Sequence, residues 1–502
     1  MNDLRRAAAN INPMPPTEIG APGAVVRGAE RLEVDICIIG AGTGGLVTAA
    51  VAAQLGAKTV LFERHKMGGD CLNYGCVPSK ALLAAAKAAK TVGTVGRFGI
   101  ETGPPAIDFG AVMRHVHGAI AAIAPHDSVE RFEGLGVKVV RAEVRFIGPQ
   151  EVASGGLIVR ARRFVIAAGS SPAVPPIPGL SEVAYLTNET VFENTVLPEH
   201  LIVIGGGPIG LEMAQAHRLL GSQVTVLEAA QILSKDDPEL VGQLRDRLEA
   251  DGIVIRDGAE IRQAEKSARG IAVILKQGGA EERIEGTHLL VAVGRRPNVQ
   301  DLDLDKAGIA HSAKGIEVDG RLRTTNPRAY AVGDIAGGPQ FTHIADYHAG
   351  IVIRNALFRL PVKVDYRALP WVTYTDPELA QVGMIESEAK KVHAESVRVL
   401  RYPFRDVDRA QTDRETEGMI KVVTRRNGRI LGASILGAHA GELIDPWGLA
   451  IARGLKISAL ATTIVPYPTF GEISKKAAGS YYARKLFSAW PRRLVRLLAG
   501  FG

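Results

Sequence analysis

Short apolar runs alternate with polar and glycine-rich segments along this chain, and two of these runs open the same longer pattern. The first run, residues 34–39, precedes the letters GAGTGG, and the second, residues 201–204, precedes GGGPIG. In each case a helical stretch follows, and then a second apolar strand that ends on an acid, Glu63 or Glu228. Strands that alternate with helices in this order predict two α/β units, each with a parallel sheet and crossover helices.

The pattern changes in the last third of the chain. Between residues 366 and 478, segments such as MIKVV and ILGASILG indicate an antiparallel sheet with helices.

No run of roughly 18 or more apolar residues occurs, so the sequence predicts no membrane-spanning helix. The first thirty residues lack the apolar stretch of a signal peptide, and we expect them to form a flexible arm.

The two glycine patterns match the dinucleotide fingerprint G-x-G-x-x-G. Its glycines allow a tight turn that brings a pyrophosphate close to a helix N-terminus, and the acid after the second strand can bond a ribose diol. One such match is weak, but two in a strand–turn–helix–strand context predict two nucleotide sites. The first set is Gly40, Gly42, Gly45 and Glu63, and the second is Gly205, Gly207, Gly210 and Glu228.

Two cysteines lie in the segment GGDCLNYGCVPSK, which covers residues 68–80 and leads into a helix predicted over residues 79–90. The glycines between and before Cys71 and Cys76 let the backbone bend as a disulfide at this spacing requires. Cys76 would lie near the positive N-terminal end of the helix, which lowers a thiol pKa. These features favour a redox pair over two buried structural cysteines. The structural interpretation suits Cys37, inside the first strand.

Composition agrees with a large α/β protein in a reducing compartment. The chain has 502 residues, of which 56 are glycine, and 46% are hydrophobic. This length predicts about three domains with ample core. Three cysteines are too few for a disulfide scaffold and indicate the cytoplasm.

The basic charge is concentrated near the C-terminus. Residues 475–502 contain seven Lys or Arg and no acid, which equals the formal net charge of +7. On a helix, Arg492, Arg493 and Arg496 would share one face, and the opposite face would carry Leu494, Leu497, Leu498 and Phe501. We therefore predict that residues 481–502 form a basic amphipathic tail, which either contacts a membrane peripherally or docks on the rest of the protein. No nucleic-acid-binding module accompanies the charge.

Taken in order, these motifs resemble the pyridine nucleotide–disulfide oxidoreductases, the family of dihydrolipoyl dehydrogenase, glutathione reductase and mercuric reductase. The resemblance covers residues 33–480. After the cysteine segment it continues through FVIAAGSSP, VAVGRRPN, AYAVGD, YTDPELAQVG and AGELI. It implies a homodimer of α/β class, with two Rossmann-like domains for FAD and NAD(P)H and a C-terminal α+β dimerisation domain.

The resemblance also implies a division of the chain. The expected parts are a flexible arm (1–30), an FAD domain (31–180 and 326–362), an NAD(P)H domain (181–325), a dimer-interface domain (363–480) and the basic tail (481–502). FAD would be held by Gly40, Gly42, Gly45, Glu63, Gly169, Gly333 and Asp334. NADH or NADPH would be held by Gly205, Gly207, Gly210, Glu228 and Gly294, and Glu228 favours NADH because a carboxylate repels a 2′-phosphate.

The resemblance assigns roles around the cysteines as well. Cys76 would be the flavin-proximal, charge-transfer thiol, and Cys71 the interchange thiol that meets the acceptor. Lys80 matches the family lysine near the flavin, and Glu212 matches its carboxylate partner. The alternative for that pair is an ordinary ion pair on a helix surface.

One segment departs from the pattern of dihydrolipoyl dehydrogenase and glutathione reductase. Their His-Pro-Thr-x-x-Glu segment reads YPTFGE here, so Tyr467 replaces the catalytic histidine while Glu472 is retained. A phenol is a poor base at neutral pH. Mercuric reductases carry a tyrosine here and a second one after the first domain, which Tyr185 matches. Both tyrosines could instead be packing residues. Among the histidines considered as replacements for this catalytic base, we expect His343 to lie closest to the flavin.

These observations predict an FAD-dependent NAD(P)H oxidoreductase that passes electrons through the Cys71–Cys76 disulfide to a small acceptor, in a site shared between two subunits. The enzyme resembles mercuric reductase, with dihydrolipoyl dehydrogenase as the alternative. A hypothesis of another class is a membrane-associated binding protein that kept the fold and lost the chemistry. The acceptor and the cofactor preference are not determined by these motifs, and no resident metal is expected.

Overall fold

The computed structural model describes residues 29–501. The expected arm lies almost wholly outside them, and Glu30, its last residue, already belongs to the first strand. The first α/β unit contains strands β1 (Glu30–Ile39), β2 (Thr59–Phe62), β3 (Val137–Val140), β4 (Arg145–Gly148), β5 (Glu151–Ser154), β6 (Leu157–Ile166) and β7 (Ser170–Pro172). Its helices are α1 (Thr43–Gln54), α2 (Gly69–Asn73), α3 (Cys76–Thr94), α4 (Phe109–Ile123) and α5 (Val129–Gly134).

The second unit repeats the α/β order and adds an antiparallel sheet. Its strands are β8 (His200–Ile204), β9 (Gln223–Glu228), β10 (Ile253–Asp257), β11 (Glu260–Ser267), β12 (Gly270–Gln277), β13 (Ala280–Gly286), β14 (His288–Val291), β15 (Arg295–Pro297), β16 (His311–Ser312) and β17 (Gly315–Ile316), and its helices are α6 (Pro208–Leu219) and α7 (Pro238–Ala250). The parallel sheet has the order β10-β9-β8-β14, and β11-β12-β13 form the antiparallel one.

The C-terminal part begins by returning to the first sheet. Its strands are β18 (Ala329–Ala331), β19 (Pro370–Thr373), β20 (Glu378–Gly383), β21 (Val397–Pro403), β22 (Met419–Arg425) and β23 (Ile430–Gly437). Its helices are α8 (Thr342–Ala356), α9 (Glu386–His393), α10 (Asp408–Asp413), α11 (Ala440–Leu443), α12 (Asp445–Ala452), α13 (Ile457–Thr462), α14 (Glu472–Leu486) and α15 (Ala489–Leu498). The antiparallel sheet predicted for this part is present, in the order β19-β20-β23-β22-β21.

The first sheet has the order β3-β2-β1-β6-β5-β4, and β18 pairs in parallel with β6. Strand β1 is buried on both faces, as an apolar run in a parallel sheet requires. Ile36 and Ile38 pack toward α1 and α8, while Cys37 packs on the opposite face among Phe146 and Phe164. Burial raises the pKa of Cys37, so this thiol is inert, consistent with a structural role.

The helix after the cysteines is longer than expected. It was predicted over residues 79–90, but α3 runs from Cys76 to Thr94. Pro78 does not delay its start, because a proline in the first turn costs no intrahelical hydrogen bond. Cys71 lies in the short helix α2 rather than in an open turn. Among the described residues, no helix is both long enough and apolar enough to cross a membrane.

Candidate active site

A cavity of about 1800 Å³ lies where the three parts of the chain meet. Both glycine turns open into it, and so does the cysteine segment. Its wall includes most of the residues that the sequence singled out: Gly40, Gly42, Glu63, Cys71, Cys76, Lys80, Gly169, Gly205, Gly207, Glu212, Glu228, Gly294, Gly333 and Asp334. One connected space therefore joins two nucleotide fingerprints to a pair of thiols.

The first glycine turn has no room for larger residues. Gly40 has a φ of +104°, and a Cβ there would collide with the carbonyl oxygen of Ala167. A Cβ on Gly45 would collide with the carbonyl oxygen of Gly40, so helix α1 could not approach the strand. Gly42 caps α1 with its backbone facing the cavity.

The second turn repeats this geometry. Gly205 has a φ of +112° and lies against the carbonyl of Ala292, while Gly210 lies against Gly205. A Cβ on Gly207, which caps α6, would meet nothing within 4 Å. Each turn thus presents a helix N-terminus to open space, an arrangement that suits a pyrophosphate. The residues present fit two dinucleotides.

In each α/β unit, the acid at the end of the strand after the glycine turn stabilises that turn by accepting backbone hydrogen bonds. Glu63 accepts hydrogen bonds from the backbone N–H groups of Ala41 and His65, both at 2.7 Å. Glu228 accepts from Gly206 at 2.7 Å and from Ala230 at 2.9 Å. Each carboxylate oxygen keeps a second lone pair for a ribose hydroxyl. The equivalence of the two acids supports one role in two nucleotide sites.

The two thiols of the cysteine segment differ in their pKa values. Cys71 and Cys76 are free thiols in this structure. The hydrogen bond from the Cys71 thiol, reinforced by Thr342, lowers the pKa of Cys76 to about 6, and the same interaction raises the pKa of Cys71. Thr342 Oγ1 lies 3.4 Å from Cys76 Sγ. At neutral pH the pair therefore shares one proton, with the negative charge on Cys76.

Lys80 and Glu212 form an ion pair across two helices. Lys80 Nζ lies 2.8 Å from Glu212 Oε2, and the Glu212 side chain is only 5% exposed. Glu212 also accepts a hydrogen bond from the backbone of Tyr374 at 3.0 Å, and the Lys80 ammonium lies 4.3 Å from the Tyr374 ring centre. The alternative of an ordinary pair on a helix surface is wrong, because α3, α6 and the C-terminal part meet here around a buried carboxylate.

Sequence reasoning missed a second charged cluster in this cavity. Arg295, only 10% exposed, lies 3.0 Å from Asp70, the neighbour of Cys71. It also donates to the backbone and hydroxyl oxygens of Ser170, both at 2.7 Å, and Ser170 donates to Asp334 at 2.5 Å. Strands β7 and β15 pair at this point and bring these residues together. The segment VAVGRRPN contains Arg295, but its partners could not be identified from spacing.

His343, the histidine expected nearest the flavin, lies in the cavity wall next to Thr342, and its Nε2 is 2.9 Å from the carbonyl oxygen of Pro370. Burial lowers its pKa, so it is neutral at pH 7. His348 is buried and accepts a hydrogen bond from the N–H of Gly333, which makes it a structural support for the Asp334 turn.

Five predicted site residues lie outside the cavity wall: Gly45 and Gly210, which pack inside their turns, and Tyr467, Glu472 and Tyr185. Tyr467 is 69% exposed and donates its hydroxyl hydrogen to Asp408 at 2.9 Å, an interaction that raises its pKa. Glu472 begins α14, and its Oε2 is buried without a hydrogen-bond partner among the described residues. Tyr185 packs against the core of the second unit. Within one chain, none of them reaches the cysteine pair.

Comparison with known proteins identifies several relatives. A family model described as pyridine nucleotide-disulphide oxidoreductase matches residues 34–349, and the dimerisation domain of that family matches residues 369–478. The chain is 36% identical to a mercuric reductase of Streptomyces lividans, over 89% of this chain and 96% of the relative. It is 37% identical to a dihydrolipoyl dehydrogenase of Thermus scotoductus, over 90% of this chain and 98% of the relative. A Cu(II) complex of the HOCl-induced flavoprotein disulfide reductase RclA from Escherichia coli aligns with a TM-score of 0.81 at 27% identity, over 89% of this chain and 99% of that one.

Proposed function

The chain belongs to the pyridine nucleotide-disulphide oxidoreductase family, and we propose that it passes electrons from NADH, through FAD and the Cys71–Cys76 pair, to a thiol-seeking metal ion such as Hg(II). It is an FAD-dependent NAD(P)H disulfide oxidoreductase. Its dimerisation domain makes it a homodimer. The choice of NADH, the roles of individual residues and the acceptor are the parts that we propose.

One observation supports this function above the others: the cavity that receives both glycine turns also contains a thiol whose pKa is about 6. Two electrons and one proton convert a Cys71–Cys76 disulfide into a thiol at Cys71 and a thiolate at Cys76. The unequal pKa values of the two sulfurs match that product. Cys71, which keeps its proton, is then the sulfur that meets the acceptor.

The geometry of the two glycine turns and the resemblance to the family support two sets of cofactor-binding residues. FAD would be bound by Gly40, Gly42, Gly45, Glu63, Gly169, Gly333 and Asp334, and the nicotinamide dinucleotide by Gly205, Gly207, Gly210, Glu228 and Gly294. When bound, FAD supplies a carrier that accepts hydride from the nicotinamide and gives an electron pair to the disulfide. Lys80 places a positive charge beside the Cys76 thiolate, and Glu212 orients Lys80.

The acceptor proposal rests on position 467. A dihydrolipoamide oxidation needs a base to move the substrate proton, and the hydrogen bond to Asp408 raises the pKa of Tyr467, so even less of its phenolate is present at neutral pH than for free tyrosine. A metal ion brings no proton to remove. Hg(II) is soft and prefers thiolates, which Cys71 and Cys76 provide. The electrons balance, since one NADH and one Hg(II) give NAD⁺, one proton and Hg(0).

Tyr467 of the partner subunit and Tyr185 are the proposed acceptor-side residues, and Glu472 supports Tyr467. In one chain Tyr467 is exposed and does not line the cavity, which suits a residue that completes the site of the other subunit. The dihydrolipoyl dehydrogenase alternative is favoured by the 37% identity to the Thermus relative, and His343 in the cavity wall would then be the base to examine.

The experiment combines thiol counting with acceptor assays. Adding NADH without oxygen should make two thiols reactive toward alkylation, at Cys71 and Cys76, and leave Cys37 unlabelled. NADH oxidation should then depend on Hg(II), supplied with excess small thiol, and should vanish in Cys71→Ser. Faster turnover with lipoamide would favour the dihydrolipoyl dehydrogenase alternative. No new thiols after NADH would favour the binding protein without redox chemistry.

We propose a cytoplasmic location. Its basis is the cysteine usage: three cysteines in 502 residues are too few for a disulfide scaffold and fit a reducing compartment. Fractionation of cells should place the enzyme on the cytoplasmic side, and any membrane contact there would come through residues 481–502.

A further inference from the structure

The C-terminal helix exposes a large amount of apolar surface. Trp490 is 70% exposed, Val495 is 65% exposed and Phe501 is 81% exposed. None of the residues of α15 is buried in the described part of the chain. A contiguous apolar surface of this kind on a folded protein marks an interaction site.

The opposite side of the same helix is basic. With 100° between successive residues, Arg492, Arg493 and Arg496 fall on one face, and all three are exposed. The apolar face is formed by Trp490, Leu494, Leu497, Leu498 and Phe501. No acid occurs between residues 475 and 502, so no internal partner neutralises these arginines within the segment.

We infer that residues 481–502 bind the surface of an anionic lipid bilayer, with α15 lying parallel to that surface. The apolar face would enter the boundary between headgroups and acyl chains, and the arginines would remain among the anionic headgroups. Trp490 suits this boundary, because its ring is apolar and its N–H is polar. In this arrangement the apolar face contacts acyl chains and the arginines contact anionic headgroups. A purely apolar partner would leave the arginines without an opposite charge.

This surface is separate from the redox site. Within one chain, and among residues 29–501 that the structure describes, none beyond Asp445 lines the cavity that holds the cysteine pair. The inference therefore goes beyond the proposed function, and lipid binding can be lost while electron transfer to the acceptor persists. The bilayer would localise the dimer rather than take part in the reaction.

The test is co-sedimentation of the FAD-loaded dimer with vesicles. We expect binding to phosphatidylcholine vesicles that contain phosphatidylglycerol, weaker binding to phosphatidylcholine alone, and loss of binding in about 1 M salt, where the Debye length falls to about 3 Å. Deletion of residues 489–502, which removes α15 and leaves α14 whole, should lower the bound fraction at least tenfold and leave NADH-dependent reduction of the thiols unchanged. Equal sedimentation of full-length and truncated protein would overturn the inference.

Point variants separate the two faces. Replacing Arg492, Arg493 and Arg496 with glutamine should abolish the preference for anionic lipid, and replacing Leu494 and Leu497 with glutamine should prevent insertion. The matched control replaces Arg114, Arg262 and Arg269, three exposed arginines on other surfaces, with glutamine. If this control loses as much binding as the tail variant, the attraction is general charge and the inference is overturned.

Tryptophan fluorescence reports the position of the helix. The chain has three tryptophans, and Trp447 is fully buried while Trp371 bonds to Asp236. A blue shift on adding anionic vesicles that disappears in Trp490→Phe would support insertion of α15. A truncated protein that becomes monomeric, together with a full-length protein that shows no blue shift, would instead make the tail a dimer contact and overturn the inference.

Discussion

At the scale of single residues, the proposed chemistry depends on the difference in pKa between two neighbouring thiols. Cys76 begins a helix and receives hydrogen bonds from Cys71 and Thr342, so its thiolate is stabilised. The hydrogen bond that Cys71 donates to Cys76 raises the pKa of Cys71, and burial and the negative charge of Asp70 raise it further. The reduced pair is therefore polarised before an acceptor binds: Cys76 carries the negative charge and Cys71 carries the proton.

Lys80 contributes to this polarisation. In Lys80→Met, the pKa of Cys76 should rise from about 6 toward that of an ordinary thiol, because the thiolate loses a positive neighbour while Glu212 stays. The pH dependence of alkylation of the reduced enzyme, followed on the Cys76 peptide, measures it. At pH 6 the rate should fall severalfold. Lys87→Met, an exposed lysine on the same helix, is the control, and an unchanged midpoint in Lys80→Met would contradict the role given to Lys80.

Tyr467 is the other residue whose identity matters. In Tyr467→His, the new imidazole would lie beside Asp408, which can orient it as a base. General acid–base catalysis contributes about 10²–10⁴-fold, so dihydrolipoamide oxidation should rise by about 10²-fold. Tyr482→His, on an exposed tyrosine of α14, should change nothing. If Tyr467→His is as inactive as the parent enzyme, the pocket itself excludes lipoamide.

At the scale of elements, we expect the end of β9 to set the cofactor preference. Glu228 ends this strand, lines the cavity and accepts two backbone hydrogen bonds, so its carboxylate is fixed. A fixed negative charge repels the 2′-phosphate of NADPH but can bond a free ribose hydroxyl.

The parent enzyme should therefore prefer NADH, and Glu228→Gln should reduce that preference. A glutamine keeps one acceptor oxygen for the turn and removes the charge, so the ratio of kcat/KM for NADPH to that for NADH should rise by about tenfold, equivalent to about 1.4 kcal/mol. Stopped-flow reduction with each nucleotide measures this ratio. Glu199→Gln, an exposed acid in the same unit, should leave it unchanged. A parent that already favours NADPH would refute the role of Glu228.

At the scale of the whole molecule, a buried lysine connects the second α/β unit to the C-terminal sheet. Lys421, 4% exposed, contacts Asp237 at 2.8 Å, Glu239 at 2.9 Å and Glu386 at 2.8 Å. Asp237 caps α7, while Lys421 lies on β22. The hydrogen bond from Arg401, together with Lys421, lowers the pKa of Glu239 to about 2. Burial opposes ionisation of Glu386, but Lys390 and Lys421 lower its pKa to about 2 as well.

These depressed pKa values give stability a pH dependence of known sign. The carboxylates titrate near 4.3 when unfolded, so their contribution is complete above that pH and is lost as the pH falls toward 2. In Lys421→Met, Asp237, Glu239 and Glu386 lose a cation that they share. The buried Asp237 then keeps no cation within 4 Å among the described residues, so the free energy of unfolding at pH 7 should fall by about 3–5 kcal/mol.

Urea denaturation at pH 7, 5 and 3 measures both effects. The parent should lose stability between pH 5 and 3, and Lys421→Met should lose less over the same interval, because protonation relieves its unpaired charges. The control is Lys138→Met, since Lys138 pairs with Glu30 on the surface and contributes about 1 kcal/mol or less. Equal pH dependence in the parent and in Lys421→Met would contradict the role of this cluster.

Local sequence determined the α/β order, the two glycine turns and the helix that follows the cysteines. Each of these depends on neighbours along the chain: a glycine at a position of positive φ, an acid at the end of the next strand, and an apolar run buried on both faces of a sheet. The sequence also determined that Tyr467 stands where a histidine would act as a base. Its error on the start of α3 arose because a proline in a first turn is compatible with several starting residues.

Tertiary structure alone decided which side chains meet. Arg295 contacts Asp70 where β7 and β15 pair, and Glu212 accepts a hydrogen bond from Tyr374 where the C-terminal part packs on α6. Tyr467, by contrast, lies away from the cavity of its own chain, although a motif places it in the active site. These contacts join residues more than a hundred positions apart, so they depend on how whole sheets and helices pack. Local spacing carries no information about that packing.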